Sequence, residues 1–386
     1  MSFYLMRTII EVSLSLHFFL RLKAGFVGFF WQLPVLLWLA LTLSPHYLQK
    51  WLSHYPPAID KYLAQVTPAL NEFQSSVTPM WMGFLIIFTV TCLGLDVIRL
   101  TAGLVGQIAD KSWWGFLPAK KAVPVALIMG LAFSVHAYYS AYHPRLVRVE
   151  FPTAKLPAGV DSLRIVQLTD VHLSDLITLK DLKRVAALVR EAKPDILVVT
   201  GDLVDTDMRQ RGEEAALLAS VRPRYGTFGV YGNHERYRGE ANSRDFYRQA
   251  GIKVLRGEAV SAGGIIVAGM DDEAFDVNGG RTPPGKLLRQ FNRDQRFILF
   301  LKHRPNLAPG TAGLFDLQLS GHTHGGQIWP GHLIIKKVNG ALHGLDYDGL
   351  SKSAVYTSRG SGFWGLPMRF LAPPEVTLIE LVRLPE

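Results

Sequence analysis

Pro194-Asp195-Ile196-Leu197-Val198-Val199-Thr200-Gly201-Asp202-Leu203-Val204-Asp205 joins two signals in one short stretch. Ile196 to Thr200 is a short, nearly all-apolar run suited to a buried strand. Gly201-Asp202 closes that run with a carboxylate. Just upstream, Leu179 to Ala192 has helical spacing, with Leu182, Val185, Leu188 and Val189 on one face. Farther out the plan repeats: Leu163–Leu168 ending at Thr169-Asp170, Gly229–Tyr231 before Gly232, then Ile265–Ala268, Phe297–Leu301 and Leu317–Leu319. Strands alternating with helices predict an α/β domain whose sheet faces are covered by helices.

Five of these six strands are followed by residues that bind metals or move protons. In chain order they are Asp170-Val171-His172, Gly201-Asp202 with Asp205, Gly232-Asn233-His234-Glu235, His303, and Gly321-His322-Thr323-His324. Loops beyond the carboxyl ends of neighbouring strands converge at one edge of an α/β sheet. Carboxylates and neutral imidazoles suit manganese, iron or zinc, with manganese expected first, and this set is large enough for two divalent ions. Such a pair can activate a water and clamp the oxygens of an in-line displacement, the requirement of phosphoester hydrolysis. The single cysteine, Cys92, excludes an intrachain disulfide framework or a thiolate metal site.

In this order the fragments resemble the calcineurin-like metallophosphoesterases. Leu319-Ser320-Gly321-His322-Thr323-His324-Gly325-Gly326-Gln327, with Ser358-Arg359-Gly360, Pro367-Met368-Arg369 and Pro374-Glu375, is similar to the membrane-associated YkuE/YaeI-like branch. The resemblance covers about Val147 to Leu384. It implies a β-sandwich flanked by helices. It also implies Asp170, His172, Asp202 and His324 at one metal and Asp202, Asn233, His303 and His322 at the other, with Asp202 shared. His234 would be a non-ligand histidine that serves the leaving group, and Asp205 would orient it, with helix capping as the alternative for Asp205. Glu235 reads as a solvated loop residue, Asp271-Asp272-Glu273 as a solvated turn, and His332 and His343 as loop histidines. Gly325-Gly326 supplies backbone freedom beside the ligands.

The first 143 residues read differently. Mean hydropathy over the chain is positive, at +0.16. Ala24–Leu43, Met80–Ile98 and Ala122–Ala141 are apolar stretches of the kind that cross a bilayer. Phe3–Leu20, which carries Arg7, Glu11 and His17, is a fourth span, an interfacial helix or one arm of a hairpin paired with the next stretch. The expected organisation is a multi-pass helical membrane domain over 1–143 and a metallophosphoesterase domain over 144–386. Asp96 marks an ion path or pairs with Arg99 on one helix face. Lys111, Lys120 and Lys121 join Arg99 in one loop, against Lys50 and Lys61 in a loop from Ser44 to Pro79. The positive-inside bias therefore puts the catalytic domain outside the cytoplasm, on an inner (cell) membrane. Arg145, Arg148 and Lys155 after the last span argue the other way.

Ten basic against five acidic side chains before Leu146, and 31 against 27 from there on, make no concentrated basic stripe. Nucleic acid is therefore not expected as a partner. The expected partners are a lipid bilayer and a phosphoester, possible lipid-derived substrates being a headgroup diester or a lipid-linked pyrophosphate. The expected activity is a membrane-anchored phosphodiesterase. A phosphomonoesterase or phosphoprotein phosphatase, a UDP-diacylglucosamine pyrophosphohydrolase with a cytoplasmic site, a non-catalytic sensor and a nuclease are the alternatives.

Overall fold

The computed structural model describes residues 3–25, 60–111, 113, 117–275, 283–349 and 353–384. They fall into two compact units, one of Met1–Tyr138 with Gly365–Met368, the other of Tyr139–Trp364 with Arg369–Glu386.

In the first unit, the described helices are α1 (Phe3–Gly25), α2 (Asp60–Ile108) and α3 (Ala119–Ala141). Phe18, Leu85, Phe88, Cys92 and Ala126 pack together there. Two stretches, Thr78–Ile108 and Lys120–Ala141, are long and apolar enough to cross a membrane. They contain two of the expected spans. α1 occupies the expected fourth segment without meeting that standard, and residues 26–43 of the remaining span lie outside the described residues. The expected loop from Ser44 to Pro79 is corrected: α2 begins at Asp60. Its first turns lack the apolar run by which the span was read. Asp96 pairs with Arg99 at 3.4 Å, as the sequence allowed, and also with Arg21 on α1.

The second unit is built on two six-stranded mixed sheets. The first has the order β1 (Arg145–Thr153), β12 (Glu375–Arg383), β2 (Ser162–Leu168), β3 (Ile196–Thr200), β4 (Thr227–Val230), β5 (Lys253–Val254). The second runs β10 (Gly344–Tyr347), β11 (Ala354–Thr357), β9 (Leu317–Ser320), β8 (Ile298–Lys302), β7 (Ile265–Met270), β6 (Glu258–Ala262). β2, β3 and β4 run parallel to one another, as do β7, β8 and β9.

Period-two alternation sorts each strand's side chains between two cores. Ile196 and Val198 of β3 join Val267, Leu299, Leu301, Leu317 and Leu319 in a shared interior between the sheets. Leu197 and Val199 point the other way, onto a layer formed by helices α4 (Leu179–Ala192), α5 (Gly212–Ala219) and α7 (Glu240–Gln249). One-turn helix α6 (Asn233–Tyr237) precedes α7. On the far side of the second sheet, Ile266, Ile298 and Phe300 pack on Leu287 and Leu288 of α8 (Pro284–Leu288). The expected α/β sandwich with flanking helices is the observed one. It explains why β3 and β8 read as continuous apolar runs: both faces of each strand are buried.

Candidate metal centre

Five parallel strands deliver the candidate ligands at their carboxyl ends. β2 leads to Asp170 and His172, β3 to Asp202, β4 to Asn233, β8 to His303, and β9 to His322 and His324. Strands from both sheets contribute, so the loops meet along one rim. The loops also bond to each other through their backbones: Asp170 N–H donates to Gly201 O at 3.0 Å, His172 N–H to Asp202 O at 3.0 Å and Gly321 N–H to His303 O at 2.9 Å.

Close approach explains the glycines. A Cβ on Gly201, whose φ is +92°, would lie 2.6 Å from Gly232 N and 2.8 Å from His303 Nδ1. On Gly321 it would lie 2.1 Å from Asp170 Oδ2. Five candidate ligands, Asp170, His172, Asp202, His322 and His324, have φ between 50° and 71°. That left-handed region is costly for residues with a Cβ and is kept where surroundings demand it, often at functional sites.

Three groups of donor atoms lie within 4.8 Å of one another: Asp170, His172 and His324; Asp202, His303 and His322; and His172, Asp205 and His234. In the first, His172 Nε2 faces His324 Nε2 at 3.1 Å, and His324 Nε2 is 3.4 Å from Asp170 Oδ1. In the second, His303 Nε2 lies 3.2 Å from Asp202 Oδ2 and 3.2 Å from His322 Nδ1. Asp202 Oδ2 is also 3.8 Å from His172 Nε2, so one oxygen looks toward the imidazoles of both groups. Asn233 Oδ1 is buried with no hydrogen-bond partner. A buried amide oxygen without a donor, on a rim whose ring nitrogens face one another, is a donor set that suits a cation. The chain therefore fits the metal chemistry its sequence implies.

Electrostatics within the rim are strongly coupled. Burial opposes protonation of His303, yet Asp202, Asp170 and Asp272 lift it to about 10. Burial, with the charges of His303 and Arg304, pulls His322 down to about 3. Burial and the nearby Arg369 also hold His324 well below the usual imidazole range. His303 Nδ1 sits 2.8 Å from Thr200 O, an arrangement that puts a proton on Nδ1 and turns Nε2 into the site.

His234 stands beside the clusters. Its Nδ1 is 2.8 Å from Asp205 Oδ1, which also accepts from Arg238 Nε at 2.9 Å. Burial acts to lower the His234 pKa, but the hydrogen bond to Asp205 and the charges of Asp202, Asp205 and Glu235 outweigh it and raise the value. Asp205 is thus a partner of this imidazole; helix capping does not describe it. Tyr237 and Trp364 approach the ring edge-on at 5.5 and 5.7 Å.

Two sequence expectations fail here. Glu235 is fully buried, not solvated. Its Oε2 accepts from Asp202 N–H at 2.9 Å and Gly232 N–H at 2.7 Å; its Oε1 accepts from Leu203 N–H at 2.7 Å, Val204 N–H at 3.2 Å and Tyr247 Oη–H at 3.2 Å. A glutamate three residues past the start of a helix that reaches back to the entry N–H is the acid of a capping box, a signal available in Gly232-Asn233-His234-Glu235. Asp271 and Asp272 are also buried, not a solvated turn. Asp271 binds Arg256 Nε at 2.6 Å and Asp272 binds Arg304 Nε at 2.7 Å, so guanidinium pairing replaces the lost water. Arg369, quoted in the sequence without a role, is fully buried and donates to the carbonyls of Gly362, Arg359 and His324, beneath the His324 loop.

Residues 163–326 match the family described as calcineurin-like phosphoesterase. An uncharacterized metallophosphoesterase of Aquifex aeolicus is 35% identical over 260 residues, which cover 67% of this chain and 97% of that protein. The uncharacterized metallophosphoesterase YkuE of Bacillus subtilis is 34% identical over 261 residues, covering 64% and 89% respectively. A transmembrane protein with a metallophosphoesterase domain from Danio rerio is 29% identical over 336 residues, covering 77% and 74%. Near-complete alignment with the Aquifex protein, over a rim of clustered histidines and aspartates, leads to one assignment: the chain belongs to the calcineurin-like phosphoesterase family of metal-dependent hydrolases.

Proposed function

We propose that this chain is a membrane-anchored phosphodiesterase holding two divalent ions. One would be held by Asp170, His172, Asp202 and His324, the other by Asp202, Asn233, His303 and His322. The carrying observation is the position of Asp202 Oδ2, 3.2 Å from His303 and 3.8 Å from His172, where one carboxylate can serve both groups. Bound there, the ions would supply an activated water and neutralise charge on the phosphoryl oxygens. Manganese is the first choice of metal, with iron and zinc next.

The chain's own residues handle the leaving group. His234 Nδ1 donates to Asp205, which fixes the ring and leaves Nε2 to pass a proton to the departing alkoxide. Arginines around the rim already have partners: Arg238 on Asp205, Arg304 on Asp272, Arg359 on Glu375 and Arg369 on carbonyls. With those guanidinium groups engaged, a singly charged diester suits the rim better than a doubly charged monoester.

Membrane anchoring rests on Thr78–Ile108 and Lys120–Ala141 and on relatives named as transmembrane proteins in Danio rerio and Bos taurus. A lipid or lipid-linked diester is the substrate class that follows. Lys111, Lys120 and Lys121 at the junction of α2 and α3, with Arg99 inside α2, favour an extracytoplasmic domain in an inner membrane. Arg145 and Arg148 favour the alternative, a cytoplasmic site acting on a nucleotide-linked lipid pyrophosphate.

The full chain in detergent with manganese should turn over bis(p-nitrophenyl) phosphate and phosphatidylglycerol faster than p-nitrophenyl phosphate. A preference for the monoester rejects the diesterase reading. His234→Ala should reduce kcat roughly 10²–10⁴-fold on an alkyl diester, whose alkoxide needs a proton. On a p-nitrophenyl diester, whose leaving group departs unprotonated, the loss should be far smaller. Asp205→Asn should share that leaving-group dependence to a lesser degree. Equal losses on both substrates remove His234 as the proton donor.

A further inference from the structure

Helix α9 (Gly331–Asn339) follows the His324 loop and is turned inside out. None of its residues is buried, and Leu333, Ile334 and Val338 are 63%, 69% and 74% exposed. At 100° per residue these three lie on one side, while the half-buried His332, Ile335 and Asn339 lie on the other, toward the domain. Lys336 and Lys337 are exposed and fall within or beside the aliphatic face, and the helix carries no acid. Trp329, 42% exposed, enters the helix, and its N–H donates to Phe370 O at 3.1 Å, next to Leu371, which is 69% exposed.

A surface helix that directs aliphatics outward is a binding face. The lysines decide for what. Lysine is depleted in the cores of protein–protein interfaces. Lysine among aliphatics, with a flanking tryptophan, is the composition of a helix lying in a membrane interface: the stems bury with the aliphatics and the ammonium groups reach the headgroups. Two lysines without an acid complement an anionic surface. The same polypeptide carries two stretches apolar enough to enter a bilayer, so such a surface is at hand.

We infer that α9, with Trp329, docks on an anionic phospholipid surface. Docking is independent of the metal centre's chemistry, so it stands or falls apart from the diesterase reading. The helix begins a few residues after His324, and the loop bearing His322 and His324 would be held near headgroup level.

The test uses the full chain with Cys92→Ala, reconstituted into vesicles of phosphatidylcholine and phosphatidylglycerol. An environment-sensitive fluorophore is placed at Ile334→Cys, with Val338→Cys as a second position and Arg209→Cys as an exposed control. Emission from the helix positions should shift to the blue and be quenched by a nitroxide lipid, with the control unaffected. Replacing both lysines (Lys336→Gln with Lys337→Gln) should lower the docked-to-undocked ratio about 30-fold, roughly fivefold per lysine. Water-like, unquenched emission at both helix positions overturns the inference. So does blue-shifted emission that the nitroxide lipid leaves unquenched, the signature of a second copy or another segment of this chain covering α9.

Discussion

Asp202→Asn is expected to abolish both metal loading and turnover. The substitution keeps the shape of the side chain and removes the charge that two imidazole groups share, through Oδ2 at 3.2 Å from His303 and 3.8 Å from His172. Oδ1 is held by the N–H of His234 at 2.9 Å, so the orientation of the carboxylate is set before any cation arrives. Changing a residue that merely supports a ligand costs about 10–100-fold in metal affinity or activity. A ligand serving two ions should exceed about 100-fold in both. Elemental analysis of the purified variant would read the metal content, and bis(p-nitrophenyl) phosphate the turnover. Metal content and rate close to those of the unaltered chain would remove Asp202 from its shared position.

Glu235→Gln should be nearly as damaging, through the fold. All five groups that reach Glu235 are donors, two on Oε2 and three on Oε1. Whichever oxygen becomes an amide nitrogen then meets two backbone N–H donors that it cannot satisfy. Burial and the charge of Asp202 push the Glu235 pKa upward, while the backbone N–H groups that converge on it favour its charge. Breaking such a buried charged network costs about 3–5 kcal/mol. For a domain of this size that is a fall in melting temperature on the order of 10 °C. The N–H groups set adrift belong to Asp202, Leu203 and Val204, so metal content should fall together with stability. A melting temperature that does not move would show that the carboxylate is not the brace of this loop.

What was readable in the chain follows from burial. β3 and α4 have the ends the sequence indicates, because an apolar run with both faces covered and a one-sided helical stripe are unambiguous patterns. The ligands were readable because each follows such a run. β1 and β12 escaped notice. β1 is largely half-exposed and contains Pro152, and β12 lies far from its partners in sequence. Glu235 and Asp272 depart from the local pattern for one reason: charged residues next to a turn are usually solvated, and most of the donors on these two come from segments distant in sequence. Nothing local to Glu235 announces the N–H groups of residues 202–204, just as nothing near Asp272 announces Arg304.

The place of β12 has a consequence for how the protein is made. It lies between β1 and β2, pairing with β1 from Arg145↔Glu375 to Thr153↔Arg383 and with β2 from Gln167 to Ser162. A chain growing from its N-terminus makes β1 and β2 first and then waits more than 200 residues for the strand that joins them. Until Glu375–Arg383 emerges, both strands keep an open edge, the feature that invites wrong pairing. Pairing at such sequence separation is also slow to form. The strand that closes the first sheet is therefore the last of its six to emerge, and a chain that stops short of Glu375 leaves β1 without a partner and β2 with an open edge for cellular quality control to recognise.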